Sequence, residues 1–414
     1  MSAPAPRHAP PLPPGLATPR EAVVLFLAFA LVYFFSALLR AVTATLAPVF
    51  SAELGLGAAD LGLLAGAYFL GFAAMQLPLG QALDRHGPRR VLLVLLVVAV
   101  AGCAAFAMAR SLGLLVLARM AIGVGVSAGL MAPLTCFRAR FLPATQLRAN
   151  SWMLMAGSLG MLASTLPVQW LLPSLGWRGL FWGLSLCLVL SLWAVARIVP
   201  ADPPPAPGTP SSTAGGYGTI LRHPLFVRMA PLAFFLYGGL VAVQALWAGP
   251  WLTQVAGGSP SQAAAGLFTI NLAMLLAFMT WGAVMPRLSA RGLTAVRLMA
   301  WGLPVSLGLL AFNVLRGAEA GAAAWALWCV STTFVTLSQP AVGQVFPASQ
   351  AGRALSAFNL IIFAGVFVVQ WGLGWVIDAL VAQGAAVPQA FRLAFGMFGG
   401  CCAAAYAWFL YRKS

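Results

Sequence analysis

Two arginines, Arg40 and Arg119, fall inside long apolar runs of this 414-residue sequence. A guanidinium keeps its proton at any working pH, so each is a fixed cation with five donors and no acceptor. Ionisable groups in hydrocarbon are costly and usually mark a solute or ion path. Tyr33, Ser36 and Thr43 stand around Arg40 at steps of three, four and three, which places all four on one helical face. A cation, a phenol and two hydroxyls on one face suit an anionic or acid-bearing organic solute. The bland readings are that Arg40 snorkels toward an interface and that Arg119 is a packing residue.

Further polar candidates are Tyr237, Gln244 and Trp247 on one run, Asn271 on the next, Thr336 and Gln339 in a hydroxyl-rich stretch, and Asn359. Serine and threonine in apolar helices often bond back to their own backbone, so only part of that stretch is expected to face a solute. The seven acids are Glu21, Glu53, Asp60, Asp84, Asp202, Glu319 and Asp378, none in the middle of an apolar run, and the three histidines also lie outside the runs. No buried carboxylate or imidazole is therefore present to carry a proton. Nor is there a His/Asp/Glu/Cys cluster for acid–base catalysis or metal binding. An enzyme, a metal and a cofactor are not expected. The six cysteines sit in apolar stretches as packing residues.

These residues are held by elements of one kind. Hydrophobic residues make up 61% of the chain and charged ones only 7%, against roughly 25% charged in a soluble domain. The surface must face lipid. Apolar runs of about twenty residues, the length of a membrane-spanning helix, fall near 22–48, 60–82, 91–109, 114–136, 151–172 and 180–199. A second six follow near 226–252, 263–285, 294–315, 322–345, 354–380 and 389–411. Residues 1–21 read as a disordered Pro/Ala-rich tail without a signal-peptide core, 200–225 as a linker, and 412–414 as a short tail.

The net charge of +16 would suggest nucleic acid in a soluble protein; here it follows topology, and nucleic acid is not a partner. With the first residue inside, 17 of the 23 basic residues lie in cytoplasmic segments, four in external loops and two within helices. Both termini are then cytoplasmic. Arginine supplies all the basic residues but Lys413, which with heavy Ala and Gly use suits a GC-rich bacterium and hence a bacterial inner membrane.

The two sets of six are related. Pro143-Ala144-Thr145-Gln146 follows the fourth run and Pro347-Ala348-Ser349-Gln350 the tenth, an offset of 204 that also maps Tyr33 onto Tyr237 and Arg40 onto Gln244. The expected fold is an all-α integral membrane protein of twelve helices in two pseudo-symmetric six-helix bundles, with a binding site between them.

The second run ends in Gly80-Gln81-Ala82-Leu83-Asp84-Arg85-His86-Gly87-Pro88-Arg89-Arg90. This resembles the G-x-L-x-D-R-x-G-R-[KR] loop of the major facilitator superfamily, with departures at Ala82 and Pro88. A weakened copy, Gly282, Pro286, Arg287 and Arg291, follows the eighth run. Arg119 with Gly123 and Gly125, and Gly176-Trp177-Arg178 with Phe181, match further family positions. The resemblance implies a solute transporter, monomeric by family default, working by alternating access. It also makes Gly80, Asp84, Arg85, Gly87, Arg89 and Arg90 a gate, with Asp84 meeting the start of the eleventh helix near Arg353 and Ser356.

An arginine on the first helix also resembles the organic-anion and organophosphate branches. The latter have a second arginine where Gln244 stands, so a singly charged, carboxylate-like solute fits better than a phosphate. Coupling would come from a counter-solute or from a proton carried by the acid itself. The drug-antiporter glycine–proline pattern is absent after Gly157 and Gly160. Two alternatives stand beside this reading: an exporter of apolar compounds lined by aromatics such as Phe234, Phe235, Trp247 and Trp251, and a transporter-like solute sensor.

Overall fold

The computed structural model describes residues 16–201 and 217–412. Most of the predicted tail and linker, and the last two residues, lie outside the described residues. Every regular element among those described is helical.

Among the described residues nine helices are long and apolar enough to cross a membrane, and a tenth such span is a helix pair bent by 45°. In chain order the spans are α1 (Pro19–Leu54), α2 (Ala58–Ala74, continued as Gln76–His86), α3 (Pro88–Met108) and α4 (Leu112–Val126, continued as Met131–Arg140). Then come α5 (Pro143–Ala163), α6 (Leu166–Ile198), α7 (Pro224–Val255), α8 (Pro260–Ala290) and α9 (Ala295–Arg316). Next is α10, whose parts Ala322–Thr332 and Ser338–Val345 flank a 3₁₀ segment, Thr333–Leu337. The series closes with α11 (Ala348–Ala382) and α12 (Val387–Tyr411). The less apolar α5 and the interrupted α10 complete twelve helices in the expected order.

Local chemistry sets the ends. Thr18 and Glu21 form a capping box with Pro19 in the first turn, so α1 begins three residues before the predicted tail ends. Ser259 and Gln262 do the same for α8. Gly87, at φ +78°, makes the turn between α2 and Pro88 of α3. The repeated segments read from sequence as loops are helix starts instead: Pro143 opens α5 and Pro347 is the N-cap of α11. Proline suits a first turn, and the Ala, Gln and Arg that follow propagate it. Residues 217–221, inside the predicted linker, form one helical turn. Gly176, at φ +61°, breaks α6 where the sequence predicts a loop, so its first part prolongs the course of α5.

Without water to drive helices together, association in a bilayer relies on close backbone approach at small residues. A Cβ added to Gly71 or Gly123 would stand 2.2 and 2.0 Å from the carbonyl oxygens of Met120 and Tyr68, which locks α2 to α4. Gly365 of α11 lies as tightly on Phe234 of α7, at 2.1 Å.

The bundles meet most closely at the arginine-poor end. There a Cβ on Gly62 would lie 2.3 Å from the Gln370 oxygen, one on Gly374 2.2 Å from the Ala58 oxygen, and one on Gly249 2.6 Å from the Ala44 oxygen. Asp378 of α11 caps the first turn of α2, accepting from Ala58 N at 3.0 Å and Ala59 N at 2.8 Å. The backbone amides there carry partial positive charge, which the carboxylate offsets.

Candidate functional site

Arg40 lies on α1 four residues before Ala44, where α1 touches α7. Its guanidinium neighbours the hydroxyls of Tyr68 and Tyr33, stands 5.8 Å from the Phe72 ring centroid, and keeps a buried Nε without a partner. Tyr237, of the other bundle, neighbours both Tyr33 and Arg40. Arg40, Tyr33 and Tyr237, chosen from sequence, are therefore brought together across the two halves. Gly157 and Gly160 of α5 allow this: a Cβ on Gly157 would press on the Tyr33 ring at 2.4 Å.

Arg119 sits deeper, fully buried. One Nη donates to Thr43 Oγ1 at 2.5 Å, and the guanidinium stands 5.3 Å from the Tyr68 ring centroid. Its Nε and other Nη have no partner. The ring of Tyr68 thus meets Arg119, while its hydroxyl, donating to the Ser36 carbonyl at 3.1 Å, neighbours Arg40. Ser36 itself is buried and donates weakly to the Val126 carbonyl. Tyr68 is the residue that joins the two cations, and sequence spacing along one helix could not reveal it. Among the described residues the ion pairs are Arg178–Glu53 and Arg316–Glu319, both at helix ends. Among the described residues neither internal arginine has a carboxylate partner.

The second bundle presents amides. Gln244 Nε2 donates to Asn271 Oδ1 at 2.8 Å, and Asn271 Nδ2 donates to the Leu267 carbonyl at 3.0 Å. Gln339 Nε2 donates to Asn359 Oδ1 at 2.6 Å, linking α10 to α11. Trp247 is placed away from Arg40: fully buried, it donates to the Gln370 carbonyl at 3.2 Å and packs edge-on to Phe391. The hydroxyls of α10 bond mainly within their own helix: Thr336 to Thr333 O, Ser331 and Thr332 to Trp328 O, Ser338 to Val335 O. Backbone shape also differs between the bundles. Around its site residues α7 is π-helical, over Leu232–Tyr237, Val243–Trp247 and Trp251–Val255.

The loop residues lie at the arginine-rich end. Asp84 and Arg85 are exposed, Gly80 faces open space, and Arg89 donates to the Ala196 carbonyl at 2.6 Å, tying the loop to α6. Among the described residues Asp84 makes no hydrogen bond or ion pair to α11. A fixed cation flanked by phenols between two bundles, closed at one end, has the geometry to hold a small anion at mid-depth.

Solved structures share this architecture. A bacterial homologue of the human lysosomal transporter Spinster, inward-facing and unoccupied, superposes with a TM-score of 0.76 at 17% identity, covering 96% of this chain and 98% of that one. The POT family transporter PepTSo gives 0.74 at 15%, over 96% and 98% of the two chains. A D-xylose–proton symporter gives 0.71 at 16%, over 95% and 97%. Curated relatives match over shorter stretches. The uncharacterized MFS-type transporter Rv1250 of Mycobacterium tuberculosis is 31% identical over 180 residues, 42% of this chain and 30% of that protein. The probable sulfoacetate transporter SauU of Cupriavidus necator is 34% identical over 95 residues, 23% of this chain and 22% of that protein. The profile of the Major Facilitator Superfamily matches residues 29–370, from the middle of α1 into α11 and so across both bundles and the site between them. With twelve helices, the second-helix loop and the paired bundles in agreement, this chain belongs to the major facilitator superfamily of membrane transporters, which are not enzymes.

Proposed function

We propose that this transporter moves a small, singly charged organic anion, carboxylate-like in its charged group, across a bacterial inner membrane by alternating access. One observation carries the reading: the Arg40 guanidinium sits between the bundles beside Tyr33, Tyr68 and Tyr237 with no acidic partner among the described residues. A buried cation without a counter-ion is costly, and a bound anion removes that cost. Sulfoacetate, in the name of one relative, is an organic anion but carries two acid groups, so that likeness supports an anion and not its single charge. Arg119, bonded to Thr43 and stacked near Tyr68, positions the Arg40 face rather than touching solute.

In this proposal the bundles rock about the site. Contact between α2 and α11, closed through Asp378 at the arginine-poor end, opens there as Asp84 engages the start of α11 at the opposite end. The arginine-rich end faces the cytoplasm, with both termini, and the working unit is a monomer. Coupling comes from a counter-solute or from a proton carried on the acid itself.

Uptake into proteoliposomes, with short monocarboxylates and sulfoacetate as probes, tests the reading. Arg40→Ala lowers anion uptake about 100-fold, since truncating one member of a buried charge pair costs roughly 2–5 kcal/mol; Arg40→Lys retains a part. Normal uptake by both variants rules out the anion site.

A further inference from the structure

The offset that relates the bundles places Gln244 where Arg40 stands, and each residue meets a polar residue on the next helix of its own bundle. Arg40 of α1 meets Tyr68 of α2; Gln244 of α7 meets Asn271 of α8, one residue from the counterpart of Tyr68. Their depth is also equivalent. Ala44, four residues beyond Arg40, touches Gly249, five residues beyond Gln244. The longer step on α7 corresponds to one turn, because Val243–Trp247 is π-helical and each π-turn takes in an extra residue. Both side chains therefore stand one turn beneath the α1–α7 contact that closes the arginine-poor end, on either side of the pseudo-two-fold axis.

Their chemistry is opposite. Arg40 has donors only. The Gln244–Asn271 pair spends the Asn271 oxygen and one N–H of each amide on fixed partners, leaving the Gln244 oxygen as an acceptor and one N–H on each amide as donors. A carboxylate there would face that oxygen with no proton to offer. A hydroxyl satisfies both groups, since it donates and accepts.

We propose that the solute is bipolar: one anionic group held at Arg40, and a neutral hydroxyl at its other end held by the Gln244–Asn271 pair. Hydroxy-monocarboxylates are the class, and dicarboxylates are rejected by the amide half. This rests on the anion reading given above and specifies it further.

The test measures ligand-induced thermal stabilisation of the purified full chain with three four-carbon acids: butyrate, 4-hydroxybutyrate and succinate. The wild type binds 4-hydroxybutyrate about tenfold more tightly than butyrate, the value of one hydrogen-bonded polar group, and binds succinate no better than butyrate. Gln244→Met, close in volume, abolishes the hydroxyl preference; Asn271→Ala, which frees the pair, reduces the preference in the same direction. Gln244→Arg turns the preference toward succinate. Arg40-dependent binding that ignores the hydroxyl, or a hydroxyl preference that survives both Gln244→Met and Asn271→Ala, overturns this proposal alone. Binding of none of the acids, or binding undiminished in Arg40→Ala, overturns the anion reading and this proposal with it.

Discussion

At the candidate site the amino-terminal bundle presents charge on α-helical turns, and the carboxy-terminal bundle neutral amides, Gln244 on a π-helical turn and Gln339 just after a 3₁₀ turn. Arg40 and Arg119 rise from α1 and α4, fixed by Tyr68, Thr43 and the glycines that pin α2 to α4. Across the interface, α7 is largely π-helical and α10 passes through a 3₁₀ turn, and their polar groups pair with each other or with their own backbone. The duplicated halves have kept their helix plan while dividing the work. A fixed cation must be held against hydrocarbon by a rigid shell, whereas amide pairs tolerate the extra carbonyl tilt of π and 3₁₀ turns. Under the proposed function one half reads the charge of the solute and the other its hydroxyl.

Four substitutions probe how far that division extends. The greatest effect is expected where the halves touch. Gly62→Leu drives a side chain into the Gln370 carbonyl, 2.3 Å from the new Cβ, so α2 and α11 no longer close at the arginine-poor end. Transport is lost almost entirely, and cysteines placed along α1 become reactive to an impermeant maleimide from that side; unchanged labelling would mean that this contact is not a gate. A smaller effect belongs to the charged half alone. Arg119→Met removes a buried charge that has no acidic partner, so thermal stability in detergent holds or rises. Uptake falls about tenfold, because Tyr68 loses the cation that seats it and Arg40 is set less well. A fall in stability comparable to that of a core deletion would make Arg119 a structural residue and remove it from the site. Least is expected on the neutral side: Ser331→Ala and Thr336→Ala change uptake less than twofold, since both hydroxyls bond their own helix. A tenfold change in either rate would place α10 on the solute path.

The division was partly legible in the sequence. Twelve runs, the basic-residue split and the 204-residue offset follow from hydropathy and topology, which depend on composition along the chain. The Arg40 face, with Tyr33, Ser36 and Thr43, follows from helical period. Tyr68, Asp378 and Gln370 did not stand out, because their roles come from helices distant in sequence: Asp378 caps α2 from 320 residues away. The hydroxyl-rich stretch drew notice for its composition, yet a hydroxyl's partner depends on local carbonyl geometry, and here that partner is its own helix. Trp247 shared a predicted face with Gln244, but the π-turn between them rotates the face and turns the indole toward α11. Irregular turns defeat periodicity because the period itself changes.

The burial of Arg119 also constrains how the protein is made. A helix with an unpaired arginine near its middle costs about 3 kcal/mol to release from the translocon into lipid. The groups that receive this arginine, Thr43 on α1 and the ring of Tyr68 on α2, are synthesised before it. Nascent α4 therefore gains by leaving the insertion channel against a waiting α1–α2 pair rather than alone. A chain emerging without Thr43 or Tyr68 is expected to release its fourth helix into lipid at a higher cost.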